Sequence, residues 1–193
     1  MPSGVPPAKI KPTSNPRQAY VTVALVLVTS LLFGLLVLPR ISARPGRVGA
    51  TAPEFSLPIV AGGNTGDRVS LQAQRGKVVL LDFWATWCGP CAEQAQILER
   101  FVATKRDGVA VFGVNEGESF DTLQPYFRQH HATYTMLSDA DERLGEQFGV
   151  RGLPTLAVID ASGRIASLAS GVVSYERLER LVAEATTARS ASR

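Results

Sequence analysis

The two cysteines of the chain lie three positions apart, in the segment Trp87-Cys88-Gly89-Pro90-Cys91. A nearly continuous apolar run, Val78 to Ala85, precedes this segment, and apolar residues recur at helical spacing from Pro90 to about Lys105. The run predicts a strand buried on both faces, and the spacing predicts a helix that begins at the cysteine pair. A buried strand that leads through two cysteines into a helix therefore indicates an α/β domain.

This arrangement favours thiol chemistry. A cysteine at a helix N-terminus faces unpaired backbone N–H groups and the positive end of the helix dipole, and both stabilise a thiolate. We therefore expect Cys88 to be the nucleophile, with a pKa below that of free cysteine. Cys91 lies one turn onward, within disulfide distance, and would resolve the mixed disulfide that Cys88 forms with a substrate. Pro90 suits the first helical turn, where a missing N–H costs nothing.

Other uses of the cysteine pair are weaker. A zinc site needs two more ligands, and the only histidines are the adjacent His130 and His131. Covalent haem attachment needs a histidine after the second cysteine, where this chain has Ala92. A purely structural disulfide stays open as an alternative, although a strand-to-helix turn is an unusual place for one.

The chain from Thr51 onward alternates between strand and helix patterns, which predicts an α/β fold with a parallel core and an antiparallel edge hairpin. A glycine-rich stretch at 62–66 lacks phosphate-loop spacing and is expected to be a simple loop. Besides the strand and helix at the cysteines, the predicted strands cover 109–114, 133–137, 155–159 and 164–170, and the predicted helices cover 119–129, 139–148 and a segment after Ser174.

The N-terminal part differs in character. From Tyr20 to Leu38 there are 19 residues without charge. As a helix they would span roughly 28 Å, close to the bilayer hydrocarbon thickness of about 30 Å, so we predict a transmembrane anchor. A cleaved signal peptide is the alternative, but the apolar stretch is long for one. The remaining predicted regions are a disordered cytoplasmic tail over 1–19, a linker over 39–50, a folded domain over 51–188 and a disordered tail over 189–193.

Charge is divided unevenly along the chain. Residues 1–48 hold six basic and no acidic side chains, whereas residues 49–193 hold 14 basic and 17 acidic ones, a net of −3. The folded domain thus lacks the basic face that nucleic-acid binding requires. Three basic residues precede the apolar stretch and three follow it closely, so charge does not set its orientation.

The segment from Leu81 to Cys91 resembles thioredoxin, and roughly Val48 to Glu184 resembles the membrane-anchored TlpA/ResA-like branch of the thioredoxin superfamily, with its redoxin or AhpC-TSA-like domain. The branch is indicated by the N-terminal apolar stretch, by Ala52-Pro53-Glu54-Phe55-Ser56-Leu57, by the segment 114–119 and by a long connection from Cys91 to Pro154. The resemblance implies a thioredoxin-like fold, a central mixed sheet flanked by helices, with an extra helix and strand inserted around 115–137.

The resemblance also implies functional residues around the cysteines. Gly152-Leu153-Pro154-Thr155 matches the loop that carries a cis-proline beside the CxxC segment, although a trans loop proline is commoner in general. The backbone of Leu153 would pair with a substrate strand. The expected substrate contacts are Trp87, Gly89, Pro90, Gly152 and Leu153.

Asp82 matches the buried aspartate of thioredoxin. Burial would raise its pKa, so that it can accept the proton of Cys91 near neutral pH. A solvated aspartate at a strand edge is the alternative. Members of this branch often carry a glutamate and a proline where this chain has Gln94 and Gln96, and Glu93 stands one place early. Glu116 and Glu118 either line the site or are solvated loop carboxylates.

We therefore expect a thiol-disulfide oxidoreductase anchored in the bacterial cytoplasmic membrane by a single pass, with its C-terminal domain outside the cytoplasm. It would reduce disulfides of exported proteins, apocytochrome c among them, with electrons from a DsbD/CcdA-type membrane donor. It would need no cofactor or metal beyond the redox-active disulfide Cys88–Cys91. The alternatives are a disulfide oxidase or isomerase of the same fold, a thiol peroxidase and a non-enzymatic tethered module.

Overall fold

A computed structural model of the protein describes residues 16–41, 46–104 and 106–187. The chain forms two compact units, Met1–Ala43 and Arg44–Arg193. The first contains helix α1, Pro16–Ile41. Large apolar side chains between Tyr20 and Phe33 are exposed on this helix.

The outcome for the N-terminal predictions is mixed. The apolar stretch is helical, and the helix begins at Pro16, inside the predicted disordered tail. Within the residues that the structure describes, no helix is both long and apolar enough to cross a membrane, so the structure does not support the predicted transmembrane anchor. The rest of that tail, 1–15, and the predicted C-terminal tail, 189–193, lie outside the described residues.

The second unit is a sheet with helices. Its strands within the described residues are β1 Ser56–Ala61, β2 Arg68–Ser70, β3 Val78–Trp84, β4 Val109–Glu116, β5 Thr135–Asp139, β6 Thr155–Ile159 and β7 Ile165–Ser170. Its helices there are α2 Gly89–Ala103, α3 Phe120–Gln129, α4 Arg143–Phe148 and α5 Tyr175–Thr187, with a short 3₁₀ turn at Gln72–Gln74.

The seven described strands form one mixed sheet in the order β2-β1-β5-β4-β3-β6-β7. Strands β3, β4 and β5 run parallel, and the pairs at both ends of the sheet are antiparallel. All seven residues of β3 are buried, as its unbroken apolar run predicts. The thioredoxin-like mixed sheet and the edge hairpin β6–β7 are therefore confirmed.

The side chains of β3 alternate between two apolar cores, one on each face of the sheet. Leu80 and Trp84 pack in the core that contains Leu98 of α2, and Leu81 and Phe83 pack in the core that contains Phe148 of α4. Because Asp82 alternates with Leu81 and Phe83, it lies on the α2 face. The sheet thus places this carboxyl beneath the helix that carries the cysteines.

The predicted insertion is present. Helix α3 and strand β5 lie between β4 and α4, and β5 pairs with β4 on one side and β1 on the other. Ser119 accepts a hydrogen bond from the Thr122 backbone N–H at 3.3 Å and so begins α3 as predicted. Pro125 lies inside this helix.

Two boundary predictions are wrong. The helix predicted from Asp139 begins at Arg143, because Asp139 pairs with Glu116 as the last residue of β5. Its carboxylate nevertheless accepts from the backbone N–H groups of Leu144 and Gly145, at 2.8 and 2.9 Å. The strand predicted over 133–137 covers Thr135–Asp139 instead.

Both ends of the predicted linker over 39–50 have defined structure. Helix α1 continues to Ile41 and so includes the first residues of the predicted linker. At the other end of the linker, the Gly49 backbone N–H donates to the Ile165 carbonyl at 2.7 Å, and the Ile165 N–H donates to Ala50 at 2.8 Å. Gly46, Gly49 and Ala50 therefore all hydrogen-bond to the rest of the second unit, and no apolar pattern at these positions could have predicted it.

Candidate active site

The cysteine pair lies where β3 leads into α2. The chain turns after β3, with the Cys88 backbone N–H donating to the Ala85 carbonyl at 3.1 Å. Helix α2 begins at Gly89, so Cys88 is its N-cap residue and Cys91 lies in its first turn. The two cysteines form a disulfide with their Cα atoms 5.3 Å apart. The predicted strand, helix and pairing are thus all present.

Only part of the CxxC segment is open to solvent. Cys88 and Cys91 are buried, with exposed fractions of 7% and 4%, whereas Gly89 and Pro90 are exposed. Trp87 is 73% exposed and forms an apolar surface next to the disulfide. Both cysteines line a cavity of about 600 Å³ on the α2 face of the sheet.

Asp82 lines the same cavity and is 1% exposed. Its Oδ1 atom is buried and contacts no hydrogen-bond donor. Burial raises the pKa of this carboxyl well above its ordinary value of 3.8. The alternative of a solvated aspartate at a strand edge is therefore wrong, and the side chain has the environment that a proton acceptor for a buried thiol requires.

Aromatic side chains from the insertion form the opposite wall of the cavity. The Tyr126 ring packs 5.4 Å from the Trp84 ring and stacks on His130 at 4.4 Å. Tyr134 lines the cavity as well, and burial, followed by the charges of Asp82 and Glu99, raises its pKa. This wall is therefore largely aromatic next to the disulfide, and His130 and Glu99 also line the cavity.

The proline loop lies at the same end of the sheet. The Leu153–Pro154 peptide bond is cis, as predicted. Thr155 pairs with Phe83 of β3, and its hydroxyl donates to the Gly152 carbonyl at 2.7 Å. This pairing brings the loop beside the strand that ends before Cys88. Gly152 is exposed and Leu153 is half-buried.

Gln94, at the position where the TlpA/ResA-like branch often has a glutamate, has a structural role here. Gln94 is fully buried, and its Oε1 atom accepts from the Val173 backbone N–H at 2.7 Å. Gln96 lines the cavity, whereas Glu93 is exposed. Of the acids considered at these positions, Asp82 is therefore the one that is buried and lines the cavity.

Sequence reasoning left Glu118 undecided. Its Oε2 atom accepts from the Thr86 backbone N–H and from Asn115 Nδ2, each at 2.7 Å. Its Oε1 atom accepts from the Thr86 hydroxyl. Glu118 therefore contacts the chain two residues before Cys88. One loop glutamate carries no sequence signal that distinguishes this contact from solvation.

Glu116 lies on the other face of the sheet, next to α4. It is half-buried, and burial, followed by the charges of Asp139 and Glu142, raises its pKa to about 8. Its buried Oε1 atom contacts no hydrogen-bond donor. A proton shared between Glu116 and Asp139 would give this oxygen a hydrogen bond. This acidic pair does not contribute to the cavity beside the cysteines.

Across residues 16–41, 46–104 and 106–187, no group of three or more His, Cys, Asp or Glu side chains is placed to hold a metal ion. The cysteine pair is itself a redox group, because its disulfide form accepts two electrons and its dithiol form supplies two.

Comparison with known proteins agrees with this geometry. The sequence profile of the AhpC/TSA family matches residues 48–168. The chain is 31% identical over 134 residues to the thiol-disulfide oxidoreductase ResA of Geobacillus kaustophilus, covering 69% of this chain and 75% of that protein. It is 31% identical over 149 residues to the thiol:disulfide interchange protein DsbE of Pseudomonas fluorescens biotype C, covering 77% and 80%.

A solved structure shows the same fold. The crystal structure of a putative thiol:disulfide interchange protein DsbE from Chlorobium tepidum has a TM-score of 0.64 and 32% identity, and the match covers 72% of this chain and 98% of that one.

Proposed function

The chain belongs to the AhpC/TSA family and is a thiol-disulfide oxidoreductase of the ResA/DsbE type, and from this premise we propose that it reduces disulfide bonds of polypeptides outside the bacterial cytoplasm. One observation carries the chemistry: the disulfide Cys88–Cys91 lies at the N-terminus of α2 and shares a cavity with the buried carboxyl of Asp82.

The reaction begins from the dithiol form. The Cys88 thiolate attacks one sulfur of a substrate disulfide, a new S–S bond forms, and the other substrate sulfur leaves as a thiolate that takes a proton from water. The helix N-terminus favours the Cys88 thiolate. The exposed surface of Trp87 and the backbone around Leu153 contact the substrate on either side of the attacked bond.

Asp82 serves the second step. As the Cys91 sulfur attacks Cys88, it releases its proton to Asp82, the Cys88–Cys91 disulfide forms, and the second substrate sulfur leaves as a thiolate. Two electrons have then passed from the enzyme to the substrate. A carboxyl with a raised pKa can hold this proton near neutral pH and later release it through the cavity.

The direction of the reaction is proposed from the dipeptide between the cysteines. Gly89-Pro90 is the dipeptide of reducing thioredoxin, whose potential is about −270 mV, against about −120 mV for a strong oxidant. A reductase outside the cytoplasm needs electrons from within, so we propose a DsbD/CcdA-type membrane donor. The 19 uncharged residues from Tyr20 to Leu38 support attachment to the membrane by their length and composition.

A redox titration of the full-length protein against glutathione tests the direction. We expect the pair to stay oxidised until the glutathione pool is strongly reducing, with a potential nearer that of thioredoxin than that of the strong oxidant. A potential near the oxidising end would instead favour the oxidase or isomerase alternative. A Cys91→Ser variant is expected to accumulate mixed disulfides through Cys88, and a Cys88→Ser variant is the matched control that does not.

Location and substrate need separate experiments. Fractionation of cells followed by protease treatment of intact spheroplasts is expected to find the protein with the membranes and its domain cleaved from outside. Protection of the domain would contradict the placement. Apocytochrome c is one candidate substrate. If it is the substrate, the protein should reduce an oxidised CxxCH peptide faster than a matched peptide in which the histidine is replaced.

A further inference from the structure

The carboxylate of Glu118 fixes the chain just before the redox-active cysteine. Glu118 lies in the connection between β4 and α3, and both of its oxygens accept from Thr86, one from the backbone N–H and one from the hydroxyl. Hydrogen bonds to a carboxylate are about twice as strong as those between neutral groups, and two of them to one residue fix its position and orientation. Thr86 stands two residues before Cys88, so the turn into α2 is held from outside the helix.

We propose that Glu118 is a positioning residue for Cys88, which keeps this cysteine at the N-terminus of α2 when the disulfide opens. In the oxidised protein, the bond to Cys91 fixes the Cys88 sulfur. That bond is absent from the dithiol form. The backbone contact from Cys88 to Ala85 and the contact from Thr86 to Glu118 then hold the turn, because the intervening Trp87 is 73% exposed and packs little.

A second side chain supports this assignment. Asn115 is fully buried, and its Nδ2 atom donates to Glu118 Oε2 at 2.7 Å. Its Oδ1 atom is buried without a partner, so Glu118 is its hydrogen-bond partner among the described side chains 46–104 and 106–187. Asn115 pairs with Trp84 at the end of β3. The sheet therefore orients the carboxylate from one side while Thr86 contacts it from the other.

A positioning role and a purely electrostatic role of Glu118 predict opposite effects. A negative charge near the thiolate disfavours it, so removing that charge alone would lower the pKa of Cys88. If Glu118 instead keeps the thiolate at the helix N-terminus, removing it lets the sulfur move away from the backbone N–H groups, and the pKa of Cys88 rises. The dithiol form is then destabilised relative to the disulfide form. This inference rests on thiol-disulfide exchange at Cys88 and is independent of the direction proposed above.

The test compares full-length Glu118→Gln, Thr86→Val and Thr86→Ser with the unchanged protein. The readouts are the Cys88 thiolate titration, followed by ultraviolet absorbance, and the equilibrium constant with glutathione. Loss of a hydrogen bond to a charged group leads us to expect that Glu118→Gln and Thr86→Val shift that constant about tenfold toward the disulfide and raise the pKa of Cys88. Thr86→Ser keeps the hydroxyl and is expected to leave the equilibrium constant within about twofold of that of the unchanged protein and the pKa of Cys88 unchanged.

Glu184→Gln, which removes an exposed charge of α5, is the control and is expected to change neither readout. A Cys88 pKa that falls in Glu118→Gln would overturn the proposal in favour of a charge effect. Equal behaviour of Thr86→Val and Thr86→Ser would overturn it as well, and this pair decides the matter alone if Glu118→Gln does not fold. An oxidising potential in the unchanged protein, with these shifts intact, would contradict the proposed direction and leave the positioning role standing.

Discussion

Raising the pH is expected to destabilise this protein through the carboxyl pair Glu116 and Asp139 at the ends of β4 and β5. The two residues are paired across the parallel strands, and Glu142 adds a further negative charge. The site is crowded, since a Cβ atom on Gly145 would clash with Glu116 Oε2. Glu116 cannot move away from Asp139 easily, and burial and this charge raise its pKa to about 8, so it retains a proton in the folded state below that pH.

The sign and size of the effect follow from the pKa. Glu116 has a pKa of about 8 in the folded protein and 4.5 ordinarily. Between these values the folded state holds a proton that the unfolded state has released, so the free energy of unfolding falls as the pH rises. At about 1.4 kcal/mol for each pKa unit, the full difference between these pKa values would lower the free energy of unfolding by about 5 kcal/mol. Because the side chain is only half-buried, solvent screening reduces this to roughly 2 kcal/mol.

The assay is urea unfolding of the oxidised protein at about pH 5, 7 and 8.5. Glu116→Gln is the informative variant, because its amide can donate to Asp139 as the protonated acid does, but it does not titrate. We expect equal stability of the variant and the unchanged protein at the lowest pH, and a variant more stable by roughly 2 kcal/mol at the highest.

Glu146→Gln, an exposed change on α4, is the matched control and should leave the pH dependence intact. Buried Asp82 adds a pH dependence of the same sign, but it is common to all three proteins and cancels in the comparison. If the difference between Glu116→Gln and the unchanged protein stays constant from low to high pH, Glu116 is ionised throughout and the reasoning is refuted.

Three further changes test the site and the core. Asp82→Asn should slow turnover with a disulfide peptide and flatten the pH profile of that turnover, and unchanged rates from about pH 6 to 9 would contradict the proton role. The same variant should be more stable than the unchanged protein at neutral pH, because the raised pKa of Asp82 lowers the free energy of unfolding as the pH rises above 3.8. Leu98→Ala removes a fully buried side chain of α2 and should cost about 2–5 kcal/mol in urea unfolding. Gln94→Ala leaves the Val173 N–H without its acceptor and should cost about 1–3 kcal/mol, whereas a negligible cost would mean that water replaces the amide.

Strong apolar patterns made most of the sheet predictable. Strand β6 begins and ends at the predicted residues, because five consecutive residues are buried on both faces. Strands β1 and β2 were not predicted. Strand β1 is mostly half-buried and contains Pro58, and β2 has three residues, so neither shows an unbroken apolar run. Their positions depend on pairing with distant segments, which local periodicity does not record.

Some residues of the site could be predicted from the sequence and others could not. Cys88, Cys91 and Asp82 could be found because a motif or a charge in an apolar strand makes them conspicuous. Glu118 and Gln94 could not, because their roles depend on single hydrogen bonds to Thr86 and Val173, and nothing in the residue types specifies those partners. The acidic pair of Glu116 and Asp139 likewise forms through strand register between separate parts of the sequence.

The place of β5 in the sheet bears on how the chain assembles as it is synthesised. Ile59 of β1 pairs with Leu137 of β5, so the first hairpin leaves the ribosome long before its neighbour exists. Until then its unpaired edge is open to other chains, which is a recognised origin of aggregation. Completion of this domain thus awaits the insertion, and a nascent chain stalled ahead of β5 would be a natural client for a holding chaperone.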